Sequence, residues 1–140
     1  MTSFPRLRQV VLDCEDVRAT AEFYRELFGL TYREGHETPE PGEDWLTLRG
    51  PDVDLAFQRV DRLERTTWPD PEVAQQLHLE SSVPTADELL RQRDRVLALG
   101  GRQVLDRFDD EDEPLFVFAD PAGHTFCIFV AADRPRGEAT

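Results

Sequence analysis

His78 and Glu80 stand two positions apart in the stretch QLHLESS, a spacing that puts both side chains on one face of a strand. A carboxylate beside an imidazole is an arrangement suited to general-base chemistry. Trp45, Phe57 and Trp68 are candidates of another kind, because aromatic faces hold flat organic molecules with large contact area. Of the three, Trp68 sits in the Pro-flanked connection WPDP, where no strand core requires it. Cys14 and Cys127 lie far apart without CxxC spacing, so they read as free thiols rather than as a zinc knuckle or a disulfide framework. All 16 basic residues are Arg, and the absence of Lys excludes Schiff-base and pyridoxal chemistry. No GxSxG, P-loop or Rossmann fingerprint is present. The acidic run Asp109–Glu113 lacks the glycine and spacing of a calcium loop. His36, in a Gly/Pro-rich loop, and His124, in a turn, read as loop residues.

The charge balance narrows the partners. With 29 acidic against 16 basic residues the formal charge is −13, which repels nucleic-acid phosphate and anionic membrane surfaces alike. The longest apolar run, Phe126 to Ala132, is far short of the roughly 20 residues a bilayer span needs. The first residues also lack a signal-peptide core. A soluble, cytoplasmic protein is the expectation, and 140 residues suit one domain.

The elements that must position these residues come in two similar sets. Leu7–Cys14 reads as a strand, and Asp16 opens a helix whose apolar face is Val17, Ala21, Tyr24 and Phe28, ended by Gly29. Trp45–Arg49 and Val53–Val60 read as strands joined through Gly50, Pro51 and Asp52. After the segment with Trp68 the order begins again. Gln76–Ser82 is a strand, Asp87–Leu99 a helix stopped by Gly100 and Gly101, and Leu115–Ala119 with Thr125–Val130 a hairpin turned at Asp120–Gly123. The expected fold is α+β, two modules forming a curved, open mixed sheet around a cavity with the helices outside. Module one spans about residues 5–60, the linker about 61–74 and module two about 75–131.

The residues carrying this order resemble the vicinal oxygen chelate superfamily, which includes glyoxalase I, bleomycin- and fosfomycin-resistance proteins and extradiol dioxygenases. The resemblance lies in Gln9–Asp16 (QVVLDCED), Ala21–Tyr24 (AEFY), Leu27–Leu30 (LFGL), Leu77–Glu80 (LHLE), Ala98–Gly101 (ALGG) and Phe118–His124 (FADPAGH). It covers about Leu7 to Val130 and implies the paired βαβββ fold of a glyoxalase-like domain. Metal-dependent members draw ligands from matching strands of the two halves. By the resemblance those positions are Gln9 and His78, with Cys127 standing where the family normally has a glutamate. On the last strand of the first half the candidates are Ala56 and Gln58, neither of them a carboxylate.

A neutral amide and an unperturbed thiol are weak ligands for a divalent cation, so a metal-free site is favoured. If a metal is bound, its ligands are Gln9, His78 and Cys127, and zinc, nickel, cobalt or manganese is the candidate ion. Strand parity brings Val11 and Asp13 to the face of Gln9, Glu80 and Ser82 to that of His78, and Phe129 to that of Cys127. Glu80 is then the remaining candidate base. Its alternatives are pairing with an arginine such as Arg49 or Arg59, or a solvated place at the pocket mouth. Candidate ligand-binding residues are Gln9, Asp13, Trp45, Phe57, Gln58, Trp68, His78, Cys127 and Phe129. The leading expectation is a metal-free, homodimeric binder of an aromatic or hydrophobic small molecule. The rivals are a metal-dependent glyoxalase-like lyase or isomerase, and a non-catalytic regulatory or scaffold protein.

Overall fold

The computed structural model describes residues 3–132, which divide after Leu63 into two units. Among the described residues each unit holds one helix and one four-stranded sheet. In the first, β1 (Val10–Cys14) is followed by α1 (Val17–Phe28), then β2 (Thr31–Tyr32), β3 (Trp45–Arg49) and β4 (Leu55–Arg59). The side chain of Asp16 caps α1 by accepting from the Ala19 amide at 3.0 Å. Gly29 closes the helix in the left-handed region at φ 67°, which a residue without Cβ adopts without strain.

The first sheet runs β1-β4-β3-β2, with β1 parallel to β4 and the other pairs antiparallel. Its register sorts the side chains. Leu12, Phe57 and Leu46 form one row, all buried, and the ring of Tyr24 from α1 stacks on Phe57 at 5.9 Å. The opposite face carries the rows Val11-Ala56-Thr47 and Asp13-Gln58-Trp45. On the β2 side of β3 the ladder ends at Tyr32, and beyond it the Arg33 amide donates to the Thr47 carbonyl at 3.0 Å while the Nδ1 of His36 accepts from the Thr47 amide at 3.0 Å.

The loop before β3 is tied to α1 by one arginine. Arg18 donates to both oxygens of Glu43 at 2.8 and 2.7 Å and to the carbonyl of His36 at 2.8 Å. Its guanidinium also lies 4.8 Å from the centre of the Tyr32 ring.

The second unit repeats the order with β5 (Leu79–Val83), α2 (Ala86–Ala98), β6 (Arg102–Arg107), β7 (Leu115–Ala119) and β8 (Thr125–Val130). Its sheet runs β5-β8-β7-β6, again with one parallel pair, β5 with β8. Thr85 caps α2 through the Glu88 amide at 3.1 Å. The face toward α2 is aromatic: Phe116, Phe118 and Phe126 are fully buried and neighbouring rings lie 5.8 and 5.5 Å apart. Arg93 of α2 lies over the Phe116 ring, which places the helix on that side. The β7–β8 turn is built on Asp120, whose Oδ1 accepts from the amides of Ala122, Gly123 and His124 at 2.8, 2.8 and 3.0 Å. Gly123 stands at φ 102°, and a Cβ there would come within 2.8 Å of the Arg65 side chain that covers the turn.

The α+β class and the doubled βαβββ order are as expected, and three of the strands correct their sequence bounds, that read as Val53–Val60 running Leu55–Arg59. The strand expected from Leu7 begins at Val10, because its partner β4 begins at Leu55 and offers nothing to residues 7–9. The strand expected from Gln76 begins at Leu79, opposite Phe126, so His78 lies one residue outside it. The short strands β2 and β6, not placed individually from sequence, complete the two modules.

The Arg18 clamp generates a test. Its carboxylate partner Glu43 is held below its ordinary 4.5 by the hydrogen-bonded guanidinium, so the folded state favours the ionised form. The stabilisation is therefore present above about pH 4.5 and lost as pH falls below it. Arg18→Ala is expected to cost about 2 kcal/mol at pH 7, from the loss of charge-assisted hydrogen bonds. Urea denaturation of Arg18→Ala, Glu43→Gln and the double variant measures it. Additive single losses would contradict the clamp.

Candidate functional site

The face of the second sheet away from α2 is read directly from the register. One row is Glu80-Cys127-Val117-Leu105 and the next is Ser82-Phe129-Leu115-Arg107. Above these rows lies a cavity of about 400 Å³, lined by Leu105, Leu115, Val117, Cys127 and Phe129 on the sheet and closed from the side by Trp68. That volume suits a small organic ligand, since such sites run to roughly 300–1,000 Å³. Gln75, His78, Glu80, Arg107 and Glu113 supply the polar part of the lining.

Trp68 is placed by a stitched loop. The Thr66 hydroxyl donates to the Val73 carbonyl at 2.6 Å and accepts from the Trp68 amide at 3.1 Å, while the Thr67 and Val73 amides close the same loop at 2.9 Å each. The Trp68–Pro69 peptide is cis. Gln75 is fixed by the buried Thr125 hydroxyl, which donates to its Oε1 at 2.5 Å.

The two candidate base residues are close but wet. Nε2 of His78 lies 3.4 Å from Oε1 of Glu80, and their side chains are 42% and 63% exposed. A carboxylate in that much water keeps most of its hydration, so the pair forms a polar rim rather than a desolvated base. Arg59, one of the arginines considered for Glu80, pairs instead with Asp61 at 3.1 Å. Cys127 is the reverse case. It is only 8% exposed, and burial, reinforced by the charges of Glu80 and Glu113, pushes its thiol up to about 11. Ser81 donates to the carbonyl of Cys127 at 3.0 Å and fastens it to β5.

Trp68, His78, Glu80, Cys127 and Phe129 thus share one cavity. Asp13, Gln58 and Trp45 share one row on the uncovered face of the first sheet, where the Trp45 indole donates to Thr47 Oγ1 at 3.1 Å. Gln9 precedes β1. Phe57, expected in the ligand site, is instead fully buried beneath α1 against Tyr24, because its parity matches Leu55 rather than Gln58. Arg107 and Leu105 are pocket residues that the sequence reading passed over. RQVLDR shows no period-two alternation, its one apolar pair Val104-Leu105 lying between polar residues at a register shift, so only the chain stop at Gly100 and Gly101 pointed to a new element here.

Measured against a divalent cation, the donor set of the second unit is sparse: where the resemblance expects a glutamate stands Cys127, whose buried thiol is pushed up to about 11, and among the described residues no group of three or more His, Cys, Asp or Glu is arranged to hold a metal ion. No helix of the described residues is long and apolar enough to cross a membrane.

Two βαβββ modules, each with its helix on one face of its sheet, define the class of protein, and the comparisons agree. A family model described as a glyoxalase-like domain matches residues 9–129. The chain belongs to that family. Among solved structures it is similar to a glyoxalase/bleomycin resistance protein/dioxygenase family enzyme from Burkholderia phytofirmans, at 16% identity and TM-score 0.68 over 89% of this chain and 97% of that one. It is also similar to the fosfomycin resistance protein FosX of Mesorhizobium loti, at 15% identity and TM-score 0.66 over 93% and 95%. A FosX variant from Listeria monocytogenes, solved with Mn(II) and 1S,2S-dihydroxypropylphosphonic acid, matches at 16% identity and TM-score 0.69 over 93% and 95%. At these identities the likeness shows the fold. No curated protein sequence matches the chain.

The Cys127 environment predicts a reactivity. The folded thiol stays protonated up to about pH 11 while the unfolded one ionises near its ordinary 9.0. Stability is therefore expected to fall as pH rises from about 9 to 11, because the unfolded chain then binds fewer protons. At pH 8 the Cys127 peptide should be alkylated by iodoacetamide far more slowly in the native than in the urea-unfolded protein. Equal rates by mass spectrometry would contradict the buried, protonated thiol.

Proposed function

We propose that the chain is a small-molecule-binding member of the glyoxalase-like family that takes up an aromatic or hydrophobic compound without a bound metal. The observation that carries the reading is the second-unit cavity, whose floor is Leu105, Leu115, Val117 and Phe129 and whose side is Trp68. A flat ligand there exchanges water for apolar and aromatic contact, worth roughly 25 cal/mol per Å² of apolar surface buried. The donor chemistry supports the metal-free part, since Cys127 occupies the place where the resemblance expects a metal-binding and proton-carrying glutamate. Glu80 and His78 then orient a ligand's polar groups at the rim. A homodimer in the cytoplasm, expected from sequence, belongs to the same proposal.

Two measurements test it. Calorimetric titration with 2-naphthalenemethanol is expected to show saturable binding that weakens about tenfold or more in Trp68→Ala, since a central aromatic contact carries a large share of affinity. Absence of binding overturns the reading. Metal content by mass spectrometry, after incubation with nickel, zinc, cobalt and manganese and then dialysis, is expected to be well below one ion per chain and indifferent to His78→Ala. Near one ion per chain, lost in that variant, would instead support a metal-dependent lyase or isomerase.

A further inference from the structure

The cavity's charges are separated along the sheet. Glu80 is on the β5 edge, in the row of Cys127, and Arg107 on the opposite β6 edge, in the row of Leu115 and Phe129. Three strand intervals of about 4.8 Å put the two backbones roughly 14 Å apart. Long side chains at both edges leave an apolar strip between them about one fused ring system long. Arg107 is the one guanidinium in the lining, against two carboxylates, Glu80 and Glu113. Among the described residues no salt bridge is formed by Arg107, whose charge acts on the nearby Asp110 carboxylate, while Glu80 lies against the His78 ring. The fields of Glu80 and Glu113 both reach Cys127 on the cavity floor, so the carboxylates act on the pocket interior and not only on bulk water.

We propose that this pocket selects an elongated aromatic zwitterion, its acidic group held by Arg107 at the β6 edge and its amine facing Glu80 at the β5 edge. The proposal rests on the cavity being the ligand site and adds the class of ligand. Arg107 supplies the geometry for a carboxylate, because its planar fork can donate to both oxygens at once. Two carboxylates against one guanidinium leave the lining net negative while His78 is neutral, so an amine is favoured and an acid without one is disfavoured. The chain's formal charge of −13 acts in the same direction at long range.

The test uses four probes that share one ring system: 2-naphthalenemethanol, 2-naphthylmethylamine, 2-naphthoate and 6-(aminomethyl)-2-naphthoate. Calorimetry at pH 7 and low salt is expected to rank the zwitterion first, then the amine, then the alcohol, with the acid weakest. Each step should be about threefold to fivefold, the scale of a partly solvated ion pair. Arg107→Gln is expected to bring the zwitterion down to or below the amine, and Arg107→Lys to restore part of the difference. Glu80→Gln is expected to weaken the amine and the zwitterion by a clearly larger factor than it weakens the alcohol. Both positions are exposed, and equal thermal unfolding of the variants confirms that folding is intact. Binding of all four probes with equal affinity would overturn the zwitterion proposal and leave the apolar pocket standing, as would a zwitterion insensitive to Arg107→Gln. Binding of none would overturn the pocket reading itself.

Discussion

The cavity depends on the hydrogen bonds that Asp120 makes to three successive backbone amides. They set the β7–β8 turn, and the turn sets the register in which Val117 faces Cys127 and Leu115 faces Phe129. Side chains alternate along a strand, so a slip of one residue would exchange every member of the two faces. Cys127 and Phe129 would then move under α2, and Phe126 and Ile128 would be turned out. The FADPAGH segment is therefore diagnostic of the fold for a mechanical reason: Asp120 replaces missing backbone acceptors, Gly123 supplies the left-handed conformation, and Arg65 packs where a larger residue would stand. The motif's acid serves the hairpin, and the chemistry of the site falls to residues further along β8.

A corresponding constraint acts on the first unit by different means. There the chain between β2 and β3 is long and polar, with local turns at Arg33–His36 and Glu40–Glu43 that do not by themselves fasten it to the helix. Arg18 does so from the helix, with the carboxylate of Glu43, two loop carbonyls and the Tyr32 ring all gathered on one guanidinium. The His36 imidazole then stands in for a strand partner at Thr47, whose hydroxyl in turn holds the Trp45 indole. Three residues that look like solvated surface in the sequence thus decide where the one large aromatic of β3 lies. This arrangement includes the Arg18–Glu43 charge pair, and acid weakens it.

Much of this was legible because the relevant signals are local. Asp16 and Gly29 bound α1, Gly100 and Gly101 follow α2, and the alternation in β8 separates Cys127 and Phe129 from Phe126 and Ile128. What escaped the sequence was non-local. Whether residues 7–9 or His78 belong to a strand is decided by where the partner strand starts, which no property of those residues encodes. Phe57 was assigned to the ligand site on its aromatic character, whereas its parity with Leu55 sends it beneath Tyr24. Arg107 went unnoticed because β6 has one adjacent apolar pair and is charged at both ends, and its place in the cavity follows only from pairing with Leu115. His36 carried no sequence signal at all, since its role is to satisfy an amide eleven positions away.

The thiol at position 127 connects fold to function. A glutamate at a position this enclosed would need a cation or a strong donor set to stay ionised. A cysteine meets the same burial by keeping its proton, and it contributes apolar, polarisable surface to the floor beside Val117 and Phe129. With the thiol neutral, the charges of the lining stand around an apolar strip rather than on it. Such a surface gains binding free energy from contact area at its centre and discriminates by charge at its edges, because the edge groups remain solvated until a ligand of matching charge displaces their water. On the proposed reading, contact area at the centre and charge at the edges are what this cavity would use to recognise its ligand.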